Sequence, residues 1–283
     1  MSEARMTTPG MFKPQFTATI LLRDHVNVSF RQLQDELRRI APDEVLGDWQ
    51  GAVADPESVP GIEMLTLNDQ VLSAILVDAP ANQAILQPGP FRNPLWPNAE
   101  QEAAEHKAHI LVMGLEDPPD REGLLAKARA VTWVTAAIAR IVPIVGVSWA
   151  DAANLVSAKA FALTIDNHFS RPSRNAVPFW VRIKIARADD SPQGEPQMTL
   201  GTLGLRLFGL RELEYAPLPA NPTPLMEHAF GVSEYLLRSG KRLDEGETIG
   251  VDDEGEMRFA ISLRDDSQFG PYPVARLTLV NGL

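Results

Sequence analysis

Two short stretches hold the residue types from which chemistry is built. The first is Glu212-Leu213-Glu214, which closes the run Thr199-Leu200-Gly201-Thr202-Leu203-Gly204-Leu205-Arg206-Leu207-Phe208-Gly209-Leu210-Arg211. If Leu213 points inward, both carboxylates share the other side, where they can receive a cation or an arginine from a partner. The competing reading is a strand, a turn and a solvated acidic pair. The second stretch is Gly146-Val147-Ser148-Trp149-Ala150, which approximates the nucleophile elbow G-x-S-x-G between a strand and a helix. Asp166 and then His168 or His228 follow in the order of a hydrolase triad. Against it, the last glycine of the elbow is Ala150, and the bulky Trp149 follows the serine. An ordinary strand end explains the same residues.

The remaining candidates are weaker. His106 and His109 would share a face only on a helix, and on a strand they oppose each other, so no metal site is expected there. His25, His168 and His228 are isolated. The glycine-rich loops that cradle phosphates are missing from the sequence, and no cofactor is expected. The acidic residues Asp244, Glu245, Glu247, Asp252, Asp253, Glu254 and Glu256 do not alternate at the spacing of a calcium loop and read as a solvated segment.

The chain as a whole narrows the partners. Its 283 residues carry a formal net charge of −11, which disfavours nucleic acid and anionic membranes. An acidic surface favours a protein partner, and a basic one in particular. There is no cysteine, so thiol chemistry and disulfides are excluded. The longest apolar stretch, 126–147, is broken by Lys127, Arg129 and Arg140 and is too charged for a membrane span. Residues 1–14 read as a disordered start without a signal peptide, and the protein as soluble and cytoplasmic. Oligomeric state is not readable from the sequence.

The elements that must position these residues follow from periodicity and breakers. Strands are expected at 16–22, 62–67, 71–77, 108–113 and 144–148, the second and third joined as a hairpin at Asn68-Asp69. Helices are expected from Asn27 or Ser29 to Ile40, over 98–105, from Asp120 to Ile141 and over 151–165. The proline-rich 80–97 reads as an extended loop, and 166–176 as a junction. Beyond it, strands are expected at 179–188, through Leu203, Leu205 and Leu207, and at 257–263 and 274–280. Asn221 opens a helix that Gly240 stops. Trp133, Trp149 and Trp180 lie in apolar elements and are expected to be buried; Trp49 and Trp96 lie in polar or proline-rich loops and are expected to be exposed.

This order gives an α+β fold with mixed or antiparallel sheets rather than a doubly wound one. The first half can make a ferredoxin-like sandwich. The expected division is an α+β unit over 15–166 and a second over 177–283. Gly204 sits where a glycine marks a bulge or the close approach of another backbone, and Gly209 where a left-handed residue is plausible.

The run Thr202-x-Gly204-Leu205, Phe208-Gly209, then Glu212-Leu213-Glu214, resembles the core motif of the bacterial family known as domain of unknown function 4261. His106 to Val112, a long helix and Gly146 to Trp149 are similar to what precedes that domain in such proteins. The resemblance implies a fold but no activity. Two functions remain expected: a non-enzymatic protein-binding module, of the kind that neutralises a toxin or accompanies a secretion system, or a serine hydrolase using Ser148, Asp166 and His228.

Overall fold

The computed structural model describes residues 15–41, 46, 62–67, 69–82, 95–169, 171, 174–188, 197–218, 221–250 and 258–281. The expectations for 1–14, Trp49, 83–94, 189–196 and 251–257 lie outside the described residues.

Among the described residues twelve strands form two six-stranded sheets, with six α-helices. The first sheet contains β1 (Thr17–Leu22), β2 (Ile62–Leu67), β3 (Gln70–Val77), β4 (Ala108–Gly114), β5 (Ile144–Trp149) and β6 (Asn154–Ser157). Their order is β2-β3-β4-β1-β5-β6, and every neighbouring pair is antiparallel. Two long helices connect them: α1 (Phe30–Ile40) follows β1, and α3 (Arg121–Ile141) joins β4 to β5. Between these lies the short α2 (Ala99–Ala103). The four central strands, β3-β4-β1-β5, with α1 and α3 packed together, have the ferredoxin-like order, extended at each edge by β2 and β6.

Capping explains the helix limits. The Ser29 hydroxyl accepts from the Gln32 N–H and the Gln32 side chain accepts in return from the Ser29 N–H. Asp120 accepts from the Gly123 N–H at 2.8 Å and opens α3. Asp69 takes the left-handed turn of the β2–β3 hairpin, with φ +61°.

The second sheet contains β7 (Arg182–Ala188), β8 (Gln197–Leu203), β9 (Glu212–Leu218), β10 (Thr248–Gly250), β11 (Arg258–Arg264) and β12 (Val274–Asn281), in the order β10-β11-β12-β9-β8-β7. Four of its pairings are antiparallel; β9 and β12 run parallel, joined through α6 (Pro222–Ser239) and the β10–β11 hairpin. Asn221 caps α6, and Gly240 ends it in a left-handed conformation.

Three expected elements differ. The segment 151–165 is not one helix: it makes a 3₁₀ turn, reverses at Ala153 with φ +49°, pairs as β6, and only then forms α4 (Ala158–Thr164). The Asn154 side-chain amide fixes that reversal by donating to the carbonyls of Pro178 and Phe179. The segment 179–188 begins as a helical turn, α5 (Val177–Trp180), because Pro178 suits a helix start. The motif strand stops at Leu203, and Leu205–Phe208 curl into a 3₁₀ turn instead of continuing the alternation.

One continuous buried apolar cluster includes residues from both sheets. Phe16 stands between Trp149, at 5.8 Å between ring centroids, and Phe208, at 5.3 Å. Trp180 lies 5.6 Å from Phe208, and its indole N–H donates to Thr132 of α3 at 2.8 Å. Trp96 corrects its expected exposure: it is 5% exposed, and its indole N–H donates to Glu102 at 2.8 Å. No described helix is long and apolar enough to cross a membrane.

Candidate functional site

The acidic pair of the motif is an internal fixture. Glu212 is fully buried, and its carboxylate accepts four hydrogen bonds. These come from the Thr202 hydroxyl at 2.7 Å and from the backbone N–H groups of Gly204 at 2.7 Å, Leu205 at 3.2 Å and Arg206 at 3.0 Å. Those N–H groups belong to the tight turn after β8, so the carboxylate does for the turn what a helix cap does. Thr202 completes the clasp by accepting from the Leu213 N–H at 2.8 Å. Gly209 closes the turn at φ +73°. Gly204 has φ +143°, and a Cβ there would collide with the Trp180 carbonyl oxygen and lie 3.1 Å from Val181 Cα. The expected close approach of another backbone at Gly204 is therefore present.

Glu214 is 3% exposed on the same face of β9. It accepts from the Ser267 hydroxyl and from the Gln268 N–H, and Arg276 lies 3.9 Å away. Register places Lys184, Gly201, Glu214 and Arg276 side by side across β7, β8, β9 and β12. Gly201 leaves the slot that the Phe269 ring occupies, since a Cβ there would run into the ring. Lys184 donates to the Phe269 carbonyl and the Tyr272 hydroxyl. Burial holds its ammonium below the usual lysine range, helped by Arg182. The solvated acidic pair is thus corrected: both carboxylates are spent inside the molecule, and neither is presented to a partner.

The elbow residues do not converge on solvent. Ser148 is 2% exposed within β5, flanked by β1 and β6, and Gly146 is pressed against Trp96 and the Val156 carbonyl. Asp166 pairs with Arg140 at 2.6 Å on the surface. His228 sits on α6, where its Nδ1 shares a 2.6 Å hydrogen bond with the Tyr215 hydroxyl. Burial pushes the His228 imidazole down to about 4 and the Tyr215 phenol well up, so both are neutral near pH 7. The His168 side chain lies outside the described residues. His106 and His109 do not make a metal site: they hold the chain after β3, His106 through the Ala81 N–H and the Ala103 carbonyl, His109 through the Ala79 carbonyl. Among the described residues no group of three metal-ligating side chains converges.

An open concave surface lies elsewhere, along the segment 241–250 that links α6 to β10. A groove of about 560 Å³ runs between α6 and this segment. Pro224, Val232 and Tyr235 of the helix face Leu243 and Ile249, while Glu227 and Glu247 supply acid and Lys241 is paired to Glu247 at 3.3 Å. Tyr235 is 39% exposed, and Gly231 opens space, since a Cβ there would meet nothing within 4 Å. His228 borders the groove. Among the described residues the edge strand β10 pairs with β11 alone. Of these groove residues the sequence had singled out only His228, as a triad candidate, and Glu247, as part of a solvated acidic segment. The helical pattern of α6 shows one apolar face, and its second, groove-side face depends on where β10 falls.

Residues 201–277, from β8 through most of β12, match a family described as a domain of unknown function, DUF4261. The match covers the Glu212 clasp, α6, the groove and the parallel β9–β12 pair. A search of curated proteins found no match.

Proposed function

We propose that the protein is a non-enzymatic protein-binding module whose docking surface is the groove between α6 and 241–250. The observation that carries this reading is a solvent-open apolar groove beside β10, the edge strand of the second sheet among the described residues. The occupant it fits is a basic segment of a partner protein with an apolar anchor. The anchor meets Val232, Leu243 and Ile249, and the basic side chains meet Glu227 and the −11 charge of the chain. A basic toxin or a secretion component has this chemistry, and the reading takes the protein to act in the cytoplasm. The hydrolase alternative has less support, because Ser148 lies inside a sheet.

The test is affinity capture from the native cell with mass spectrometry, repeated with Gly231→Leu and Glu227→Lys. Gly231→Leu fills the groove, and a glycine in a helix interior costs about 1 kcal/mol relative to alanine, so the variant should fold at least as well. The expected result is one basic partner lost from both variants with no fall in melting temperature. A partner retained by both would overturn the groove as its site. Covalent labelling of Ser148 by a fluorophosphonate, lost in Ser148→Ala, would replace this reading with the hydrolase.

A further inference from the structure

Lys241 and Leu243 also border a second hollow, of about 490 Å³, on the other side of the same segment. Its lining inverts the charge of the molecule. Arg206, Arg211, Lys241 and Arg242 converge on it with one acid, Asp244. The four come from separate places in the chain: the 3₁₀ turn of the motif, the residue before β9, and the segment after α6. Two of them have neighbours that hold part of their charge. Arg211 donates to the Arg264 carbonyl and lies 3.5 Å from Asp265, and Lys241 pairs with Glu247. The other two are less committed. Arg206 lies over the Tyr272 ring at 5.5 Å and is exposed at the surface, and Arg242 is exposed with no partner among the described residues. In a chain with 37 acidic and 26 basic residues, four cations against Asp244, Asp265 and Glu247 leave this concavity net positive where the chain is net negative.

The rest of the lining is apolar: Leu210, Leu236, Leu243, Leu263 and Pro273. The hollow is therefore two-sided in chemistry, cationic at its rim and aliphatic within. Guanidinium groups match the oxygen geometry of phosphate and are weakly hydrated, so they lose little when a phosphate displaces their water. An aliphatic wall gains from covering an apolar ring. We propose that this hollow binds a small organic phosphate: a phosphate monoester carried on an apolar or aromatic body. Arg242 and Arg206 hold the phosphate, and the leucines cover the body. The Glu212 carboxylate acts at one remove, because it fixes the turn from which Arg206 projects.

The hollow shares Lys241 and Leu243 with the protein-binding groove, but Arg206 and Arg242 do not line that groove, and the test uses small probes alone. Binding of phenyl phosphate, inorganic phosphate and phenol to the full chain is followed by calorimetry at low ionic strength. The expected result is saturable binding of phenyl phosphate, weaker binding of inorganic phosphate and none of phenol. Raising the salt should weaken it. Arg242→Glu should weaken phenyl phosphate by about tenfold or more, Arg242→Gln by less, and Arg206→Gln comparably to Arg242→Gln. Unchanged melting curves establish that the variants are folded, and Arg242, being exposed, is the safer position. The proposal is overturned if phenyl phosphate does not saturate, or if Arg242→Glu and Arg206→Gln bind it as tightly as the wild type does. It is also overturned if inorganic phosphate binds as tightly as phenyl phosphate.

Discussion

The Glu212 carboxylate lies 2.7 Å from the backbone nitrogen of Gly204, across the turn that the two residues bracket. The same carboxylate serves two further N–H groups and one hydroxyl, with no exposure to solvent. Glutamine at this position replaces an acceptor oxygen with a donor that faces N–H groups. Hydrogen bonds to a charged acceptor are worth more than neutral ones, and a buried mismatch adds the cost of an unsatisfied group. Glu212→Gln should therefore lose about 3 kcal/mol or more. Urea unfolding checks it, and a loss below about 0.5 kcal/mol would mean that the clasp is incidental.

Gly204 answers to two constraints together. Its φ of +143° is closed to side-chain-bearing residues, and a Cβ would enter the Trp180 carbonyl. Gly204→Ala should cost about 2–3 kcal/mol, and Gly204→Val more, because backbone rather than a flexible side chain must move. Gly209→Ala removes only conformational freedom, since its Cβ would meet nothing within 4 Å. It should cost about 1 kcal/mol. Equal melting temperatures for Gly204→Ala and Gly209→Ala would contradict the close approach.

His228 makes stability depend on pH. Its folded value, about 4, lies below the unfolded value near 6.5 because burial disfavours the imidazolium. The unfolded chain therefore binds the extra proton first. The contribution is fully present above pH 6.5 and is lost as pH falls through 4, a total of about 3 kcal/mol. Unfolding free energies at pH 7 and pH 4.5 should differ more for the wild type than for His228→Gln. Parallel pH profiles would remove His228 as the cause.

Iodide should quench few of the tryptophans. Trp96, Trp133, Trp149 and Trp180 are each at most 5% exposed. Single-tryptophan variants that retain any one of these four should be protected. Strong quenching of the Trp96 variant would restore the exposure expected from its proline-rich surroundings.

Periodic and capped elements were legible in the sequence. Asp120 and Asn221 marked helix starts that the structure keeps, Ser29 is the one it keeps of the pair Asn27 and Ser29, and Gly240 marked a stop. The order of the first half was enough for the ferredoxin-like arrangement. The short β6 was not legible, because Ala152-Ala153 reads as helix until the Asn154 amide and the β5 edge reverse the chain. The burial of Glu212 and Glu214 was hidden for a different reason. Glu212 is held by the Thr202 hydroxyl and by backbone N–H groups of the turn, and Glu214 by residues more than fifty positions away, which carboxylate spacing does not reveal. The cationic hollow was similarly invisible, since its four basic residues meet only when α6 ends beside the motif turn.

The parallel pairing of β9 with β12 also sets an order in time. Every strand of the first sheet precedes residue 158, so that sheet can close while later residues are still being added to the chain. The second sheet cannot. Its middle joint waits for Val274 to Tyr215's partner Leu277, after α6, β10 and β11 have all been made. Until then β9 has one bare edge, and Glu214 lacks Ser267, Gln268 and Arg276. A ribosome-bound intermediate would thus expose the second sheet's central strand longest, which is where a chaperone or an aggregating neighbour would find it.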